Sequence, residues 1–222
     1  MIKQLKILIK LLPSAYRFKL SLVGAAIMYL VGIVMALSFP GNGIGIVFLM
    51  MGPIWVSQLI ISLSVSNLVQ VSSFKKALHT YLSAAANFIS MILSYLLVLL
   101  VDGINRYIHP EYTDNDGISL FLACFFFVIA FTLYVSFCYK YFIVSSIFLV
   151  IGVQVVGVYY NFSMYLGENT LPFGISAPFP LLILSGFGII FVSSLLQYGI
   201  SLLLYKRPLS KTAQYAGLRK YM

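Results

Sequence analysis

Long, unbroken apolar runs alternate along the chain with short polar or glycine- and proline-bearing breaks. Runs long enough to cross about 30 Å of hydrocarbon at about 1.5 Å per residue occupy roughly 20–39, 44–65, 83–101, 118–138, 141–160 and 179–204. They are continuous rather than alternating, so they predict spanning helices and not barrel strands. The breaks are Pro40-Gly41-Asn42-Gly43, the stretch from Ser72 to Leu82, the polar stretch from Asp102 to Gly117, a tight turn at Lys140, and Asn161 to Pro178. Only Lys140 interrupts 118–160. A single helix there would put the basic C-terminal residues on the opposite side from the basic N-terminal ones. The expected fold is therefore an all-α integral membrane domain over 1–222 with six transmembrane helices.

Ahead of the first run, Lys3, Lys6 and Lys10 recur at helical spacing while Ile2, Leu5, Ile9 and Leu12 take other faces. This predicts an interfacial amphipathic helix over 1–13, its lysines toward anionic lipid and its apolar side in the headgroup boundary. Pro13-Ser14 ends it. With no small-residue cleavage site after these lysines, the first apolar run is expected to be a retained helix and not a signal peptide.

Composition removes the soluble alternative. The chain is 61% hydrophobic and 9% charged, with a mean hydropathy of +1.02, against about 25% charged in soluble domains. A net charge of +9 would suggest nucleic acid in a soluble protein, but here its meaning depends on position relative to the membrane, and no nucleic-acid partner is expected. With both termini in the cytoplasm, Lys3, Lys6, Lys10, Arg17, Lys19, Lys75, Lys76, Lys140, Lys206, Arg207, Lys211, Arg219 and Lys220 fall inside and Arg106 alone falls outside. The acids Asp102, Glu111, Asp114, Asp116 and Glu168 all fall outside under the same assignment. Cys124 and Cys138 lie apart on one helix and cannot form a disulfide.

The chemistry of catalysis is not visible. No carboxylate is expected within a span, where an ionisable residue would mark a proton or ion relay. The stretch Gly41-Asn42-Gly43-Ile44-Gly45 lacks the lysine of a phosphate-binding loop. Glu111, Asp114 and Asp116 beside His109 read as a solvated outer loop, and the sequon Asn161-Phe162-Ser163 is a chance-level match. No catalytic, cofactor or metal site is expected. Uncharged polar groups in the spans supply candidates for a substrate pathway: Trp55, Ser57, Gln58 and Ser62 around the Gly52-Pro53 break, and Gln154 between Gly152 and Gly157. The same residue types also serve ordinary helix packing.

The connection over 66–82 is too long for a simple turn. It mixes Val71, Phe74 and Leu78 with Ser73, Lys75, Lys76 and His79, the pattern of a short amphipathic helix along the inner surface. An interfacial N-terminal helix, six spans, such a helix after the second span and a long outer segment between the fifth and sixth together resemble the membrane subunit of a type-2 ABC exporter. Within that family the compact size and the stretch Asn67 to Thr80 are similar to the small permeases related to the phenol-soluble-modulin exporter.

The resemblance implies a permease of the bacterial cytoplasmic membrane that forms a homodimer and pairs with two separate ATP-binding subunits, which would bind the ATP and Mg. It would export an amphipathic or hydrophobic cargo such as a peptide toxin or antimicrobial peptide. It also implies that Ser73, Phe74, Lys75, Lys76 and His79 contact the ATPase, with Lys3, Lys6 and Lys10 nearby, and that 161–178 caps the exit. Two other classes fit the same layout: the substrate-capture subunit of a vitamin importer, and a non-transporting immunity or scaffold protein.

Overall fold

The computed structural model describes residues 2–15, 18–40, 43–65, 69, 74–109, 114–138, 140–165 and 179–206. The regular structure among them is helical throughout. It comprises α1 (Ile2–Leu11), α2 (Phe18–Ser38), α3 (Gly43–Val65), α4 (Phe74–His79), α5 (Tyr81–Ile108), α6 (Asp114–Cys138), α7 (Phe142–Tyr165) and α8 (Phe179–Leu204). A 3-10 turn at Leu12–Ser14 follows α1. Among the described residues four stretches are long and apolar enough to cross a membrane: Phe18–Ser38, Ile44–Ser64, Phe74–Ile108 and Pro180–Leu204. The helices α6 and α7 run for 25 and 24 residues. Helix is the required form here, because hydrocarbon offers no water to bond a bare amide or carbonyl.

The centre of the bundle is built from α3, α5 and α6. Helix α2 packs along α3, α7 packs against α6, and α8 touches both α5 and α6. Leu49 and Met50 of α3, Tyr95 and Val98 of α5, Phe127 and Phe131 of α6 and Ile190 of α8 meet in one buried cluster. Glycines allow two of the contacts. At Gly45 the backbone of Ala36 on α2 comes so near that a methyl group would overlap it. At Gly52 the ring of Tyr29 fills the space of the missing side chain and its hydroxyl reaches Ser94 Oγ at 2.8 Å.

Helix α3 continues through Pro53. The ring removes one donor from the ladder, and the hydroxyl of Ser57 donates to the carbonyls of Pro53 and Ile54, both at 3.0 Å. Between α6 and α7 the chain turns at Lys140, where the Lys140 and Tyr141 amides both donate to the Phe137 carbonyl at 3.0 and 2.8 Å.

Three boundaries differ from the sequence expectation. Helix α5 does not stop near 101 but runs to Ile108, where polar side chains make contacts within the helix and to α2. Asp102 accepts from Arg106 Nε at 2.9 Å, one turn along, and Asn105 donates to the Ala36 carbonyl at 3.0 Å. Helix α6 begins at Asp114 rather than near 118. Helix α7 carries Asn161 and continues to Tyr165. The remainder of the expected exit segment, 166–178, lies outside the described residues, as do Arg17, Ser73, Glu111, Glu168, Arg207, Lys211, Arg219 and Lys220.

The N-terminal helix also departs from a purely lipid-facing role. Leu8 is buried in one cluster with Leu59, Ile60 and Leu63 of α3, with Leu78 of α4, and with Val69, which precedes α4. Ile7 and Ile9 stay exposed, as do Lys6 and Lys10. Exposed leucine, valine and isoleucine side chains cover much of the outside elsewhere, including Leu30 and Val34 on α2 and Leu184 and Leu203 on α8. An apolar surface of this extent suits lipid rather than water.

Candidate functional site: a polar seam between two helices

Buried polar residues concentrate on one side of α5. Ser83, Asn87, Ser90 and Ser94 are each at most 7% exposed, and their spacing of four, three and four residues keeps them on one helical face. Ser94 meets Tyr29 of α2, while Ser83 meets α8, which carries buried polar residues of its own, Ser193, Gln197 and Ser201, each again at most 7% exposed.

Contacts along the seam establish its register. The ring of Tyr95 lies 5.1 Å from that of Phe187, and Phe88 lies 6.3 Å from Phe191. The Gln197 amide approaches Ser83 Oγ at 3.4 Å, and His79 meets Tyr205 at 6.4 Å. The helices are therefore antiparallel, and Asn87 is level with Ser193. Tyr95 also fills the notch at Gly186 and donates to the Ile183 carbonyl at 3.2 Å. The seam thus has an aromatic clasp on one side of that level and a row of serine, amide and imidazole groups on the other.

The second feature is the end of the bundle where α1, the close of α3 and α4 gather. Leu8, Leu63, Val69 and Leu78 form its buried apolar cluster, with Phe74 packed against it. Lys6, Lys10 and Lys76 are exposed around this cluster and Lys75 is half-buried. Lys140, in the turn between α6 and α7, is half-buried at the same end; burial and the neighbouring Lys75 ammonium lower its pKa below the usual lysine value.

The residues named from sequence are dispersed. His79 is 6% exposed with its ring against Tyr205, so it is covered rather than presented to a partner; Phe74 is half-buried and Ser73 is not described. The ring of Trp55 packs under Gly24 of α2. Ser57 and Ser62 spend their hydroxyls on carbonyls of their own helix, Ser62 on Leu59 at 2.9 Å. Gln58 and Gln154 are exposed on separate helices. These five pathway candidates do not converge.

Asn87 and Gln197 sit in apolar runs that show no polar break in the sequence. The Ser83, Asn87, Ser90, Ser94 spacing was the available signal. Asp102 is likewise 4% exposed and paired with Arg106, which places this side chain inside α5 rather than in a loop.

Chemically, the seam offers uncharged hydrogen-bond donors and acceptors in an apolar wall. Among the described residues no group of three or more His, Cys, Asp or Glu is placed to hold a metal ion, and Cys124 and Cys138 are buried free thiols. No known family, curated protein or solved structure matches the chain.

Proposed function

We propose that this chain is the membrane-embedded permease subunit of an ATP-driven exporter, working as a homodimer with two separate ATP-binding subunits in a bacterial cytoplasmic membrane. In this reading α2, α3, α5, α6, α7 and α8 all span the bilayer, and both termini and the lysine-rich end face the cytoplasm. ATP and Mg belong to the partner subunits. The cargo is hydrophobic or amphipathic, with peptides as the leading class.

The observation that carries the reading is the apolar cluster at the lysine-rich end. Helix α4 and the N-terminal helix share it through Leu8 and Leu78, so movement imposed on Phe74, Lys75 or Lys76 is passed directly to α3, α5 and α1. That is the mechanical requirement for coupling an external motor to rigid-body motion of helices. His79 falls out of the contact surface because it is covered, leaving Phe74, Lys75 and Lys76.

The test is a triple variant, Phe74→Ala with Lys75→Glu and Lys76→Glu, in the full chain. Association with the ATPase and export are both expected to be lost while the chain still accumulates in the membrane. Retention of both would discard the coupling assignment. Orientation is checked separately: in intact cells an impermeant thiol reagent should label Tyr107→Cys and spare Lys76→Cys. A purified chain that stays monomeric and carries one tightly held small nutrient would instead be a capture subunit.

A further inference from the structure

Two lysines from distant parts of the sequence stand close together at the lysine-rich end of the bundle. Lys75 lies on α4 and Lys140 in the turn between α6 and α7, and both are half-buried. Each acts electrostatically on the ring of His79, and Lys75 acts on Lys140 as well. His79 is closed in by Tyr205 at the end of α8, with ring centres 6.4 Å apart. Three separate parts of the chain therefore meet around one concentration of positive charge. The described acids stand at the other end. Asp102 lies about 30 Å along α5 from Tyr81. Helix α6 begins at Asp114 and reaches Cys138, just before Lys140, about 35 Å further on.

Two like charges partly withdrawn from water repel each other and lose hydration, and an anion placed between them offsets both costs. The surroundings indicate what carries that anion. One turn past Lys140, Ile143 and Val144 are 59% and 51% exposed, and Leu203, just before Tyr205, is 82% exposed. Tyr141 is exposed beside them, a residue type that gathers at headgroup depth. A soluble anion would leave this apolar rim bare, whereas a lipid covers it with its own acyl chains.

We infer that an anionic phospholipid binds here, its phosphate between Lys75 and Lys140 and its acyl chains along Ile143, Val144 and Leu203. Basic recesses between helices at the membrane boundary suit such headgroups. Lys6, Lys10 and Lys76 are exposed and add a diffuse field that salt screens. The site does not depend on the chain being an exporter, since Lys140 has no part in the coupling surface and the ligand is a component of the bilayer.

The experiment uses the full chain in a neutral detergent at about 0.15 M salt, where exposed charges are screened beyond about 8 Å. The thermal unfolding midpoint is followed as phosphatidylglycerol is added. It is expected to rise and saturate, whereas phosphatidylcholine with the same acyl chains and inorganic phosphate should each leave it where it was. Lys140→Gln and Lys75→Gln should each weaken the apparent affinity for phosphatidylglycerol about fivefold, and Lys140→Arg should keep it. Lys10→Gln, an exposed control, should change it by less than about twofold. The inference is overturned if phosphatidylcholine or inorganic phosphate protects as well as phosphatidylglycerol, if neither Lys140→Gln nor Lys75→Gln weakens the effect, or if Lys10→Gln weakens it as much as they do. Equal protection by a short polyglutamate peptide would also overturn it, assigning the site to an acidic protein segment instead of a lipid.

Discussion

The side-chain amide of Asn105 on α5 donates to the main-chain carbonyl of Ala36 on α2 at 3.0 Å. Ala36 lies in the last turn of α2, where helical carbonyls have no partner further along the helix. Asn105 therefore caps one helix from the side of another. In a membrane domain that matters, since a bare carbonyl facing hydrocarbon costs more than the same group in water. Replacing Asn105 with alanine is expected to lower stability by about 1–3 kcal/mol, read as a lower thermal midpoint in detergent. An unchanged midpoint would mean that the Ala36 carbonyl finds another donor.

The glycines divide into two groups with opposite expected behaviour. Gly45→Ala would drive a methyl into the Ala36 backbone, and backbone cannot move aside as a side-chain tip can. It should cost about 1–3 kcal/mol and separate α2 from α3. Gly188→Ala enters open space within a helix and should stabilise by up to about 1 kcal/mol through helix propensity. Measuring both in one detergent removes the dependence on reference state; equal effects would refute the close approach of α2 to α3.

The Asp102–Arg106 pair tests whether the end of α5 is packed as described. Asp102 is buried while the Arg106 side chain is 27% exposed. Removing the arginine leaves a carboxylate sealed without its cation, a change that costs about 3–5 kcal/mol for buried pairs. Arg106→Leu should therefore be clearly destabilising, and Asp102→Leu added to it should restore most of the loss. If the double variant is no better than the single one, the two residues are not coupled.

Lys140 supplies a pH dependence. Its pKa is held below the ordinary lysine value by burial and by Lys75, so the folded chain binds that proton less tightly than the unfolded chain. The penalty is present at neutral pH and disappears as pH rises through the lowered pKa toward the ordinary value of about 10.4. Stability should accordingly rise from neutral to alkaline pH. Lys140→Gln should raise stability at pH 7 and flatten that rise; an unaltered slope would exclude Lys140 as its source.

The amino-acid sequence by itself determined the solvent and the type of element. Long apolar runs with few charges require helices in lipid, and the helices found begin close to the runs at 20, 44, 83, 141 and 179. The break at Lys140, marked by neither glycine nor proline, was legible because the run from 118 to 160 exceeds what one crossing needs. Sequence could not say which face of each helix meets protein. Lipid is as apolar as a protein core, so helices such as α2 and α8, apolar on every side, carry no pattern that separates the two.

Only the tertiary structure decided that Gln58 and Gln154 face outward, that His79 is covered by Tyr205, and that Asp102 and Asn105 belong to a helix rather than a loop. The last point has a direct cause. Polar residues break an apolar run in one dimension, but in three dimensions Asp102 has Arg106 one turn away and Asn105 has the open carbonyl of Ala36. The same holds for Ser83, which meets the Gln197 amide only once α5 and α8 pack in antiparallel register.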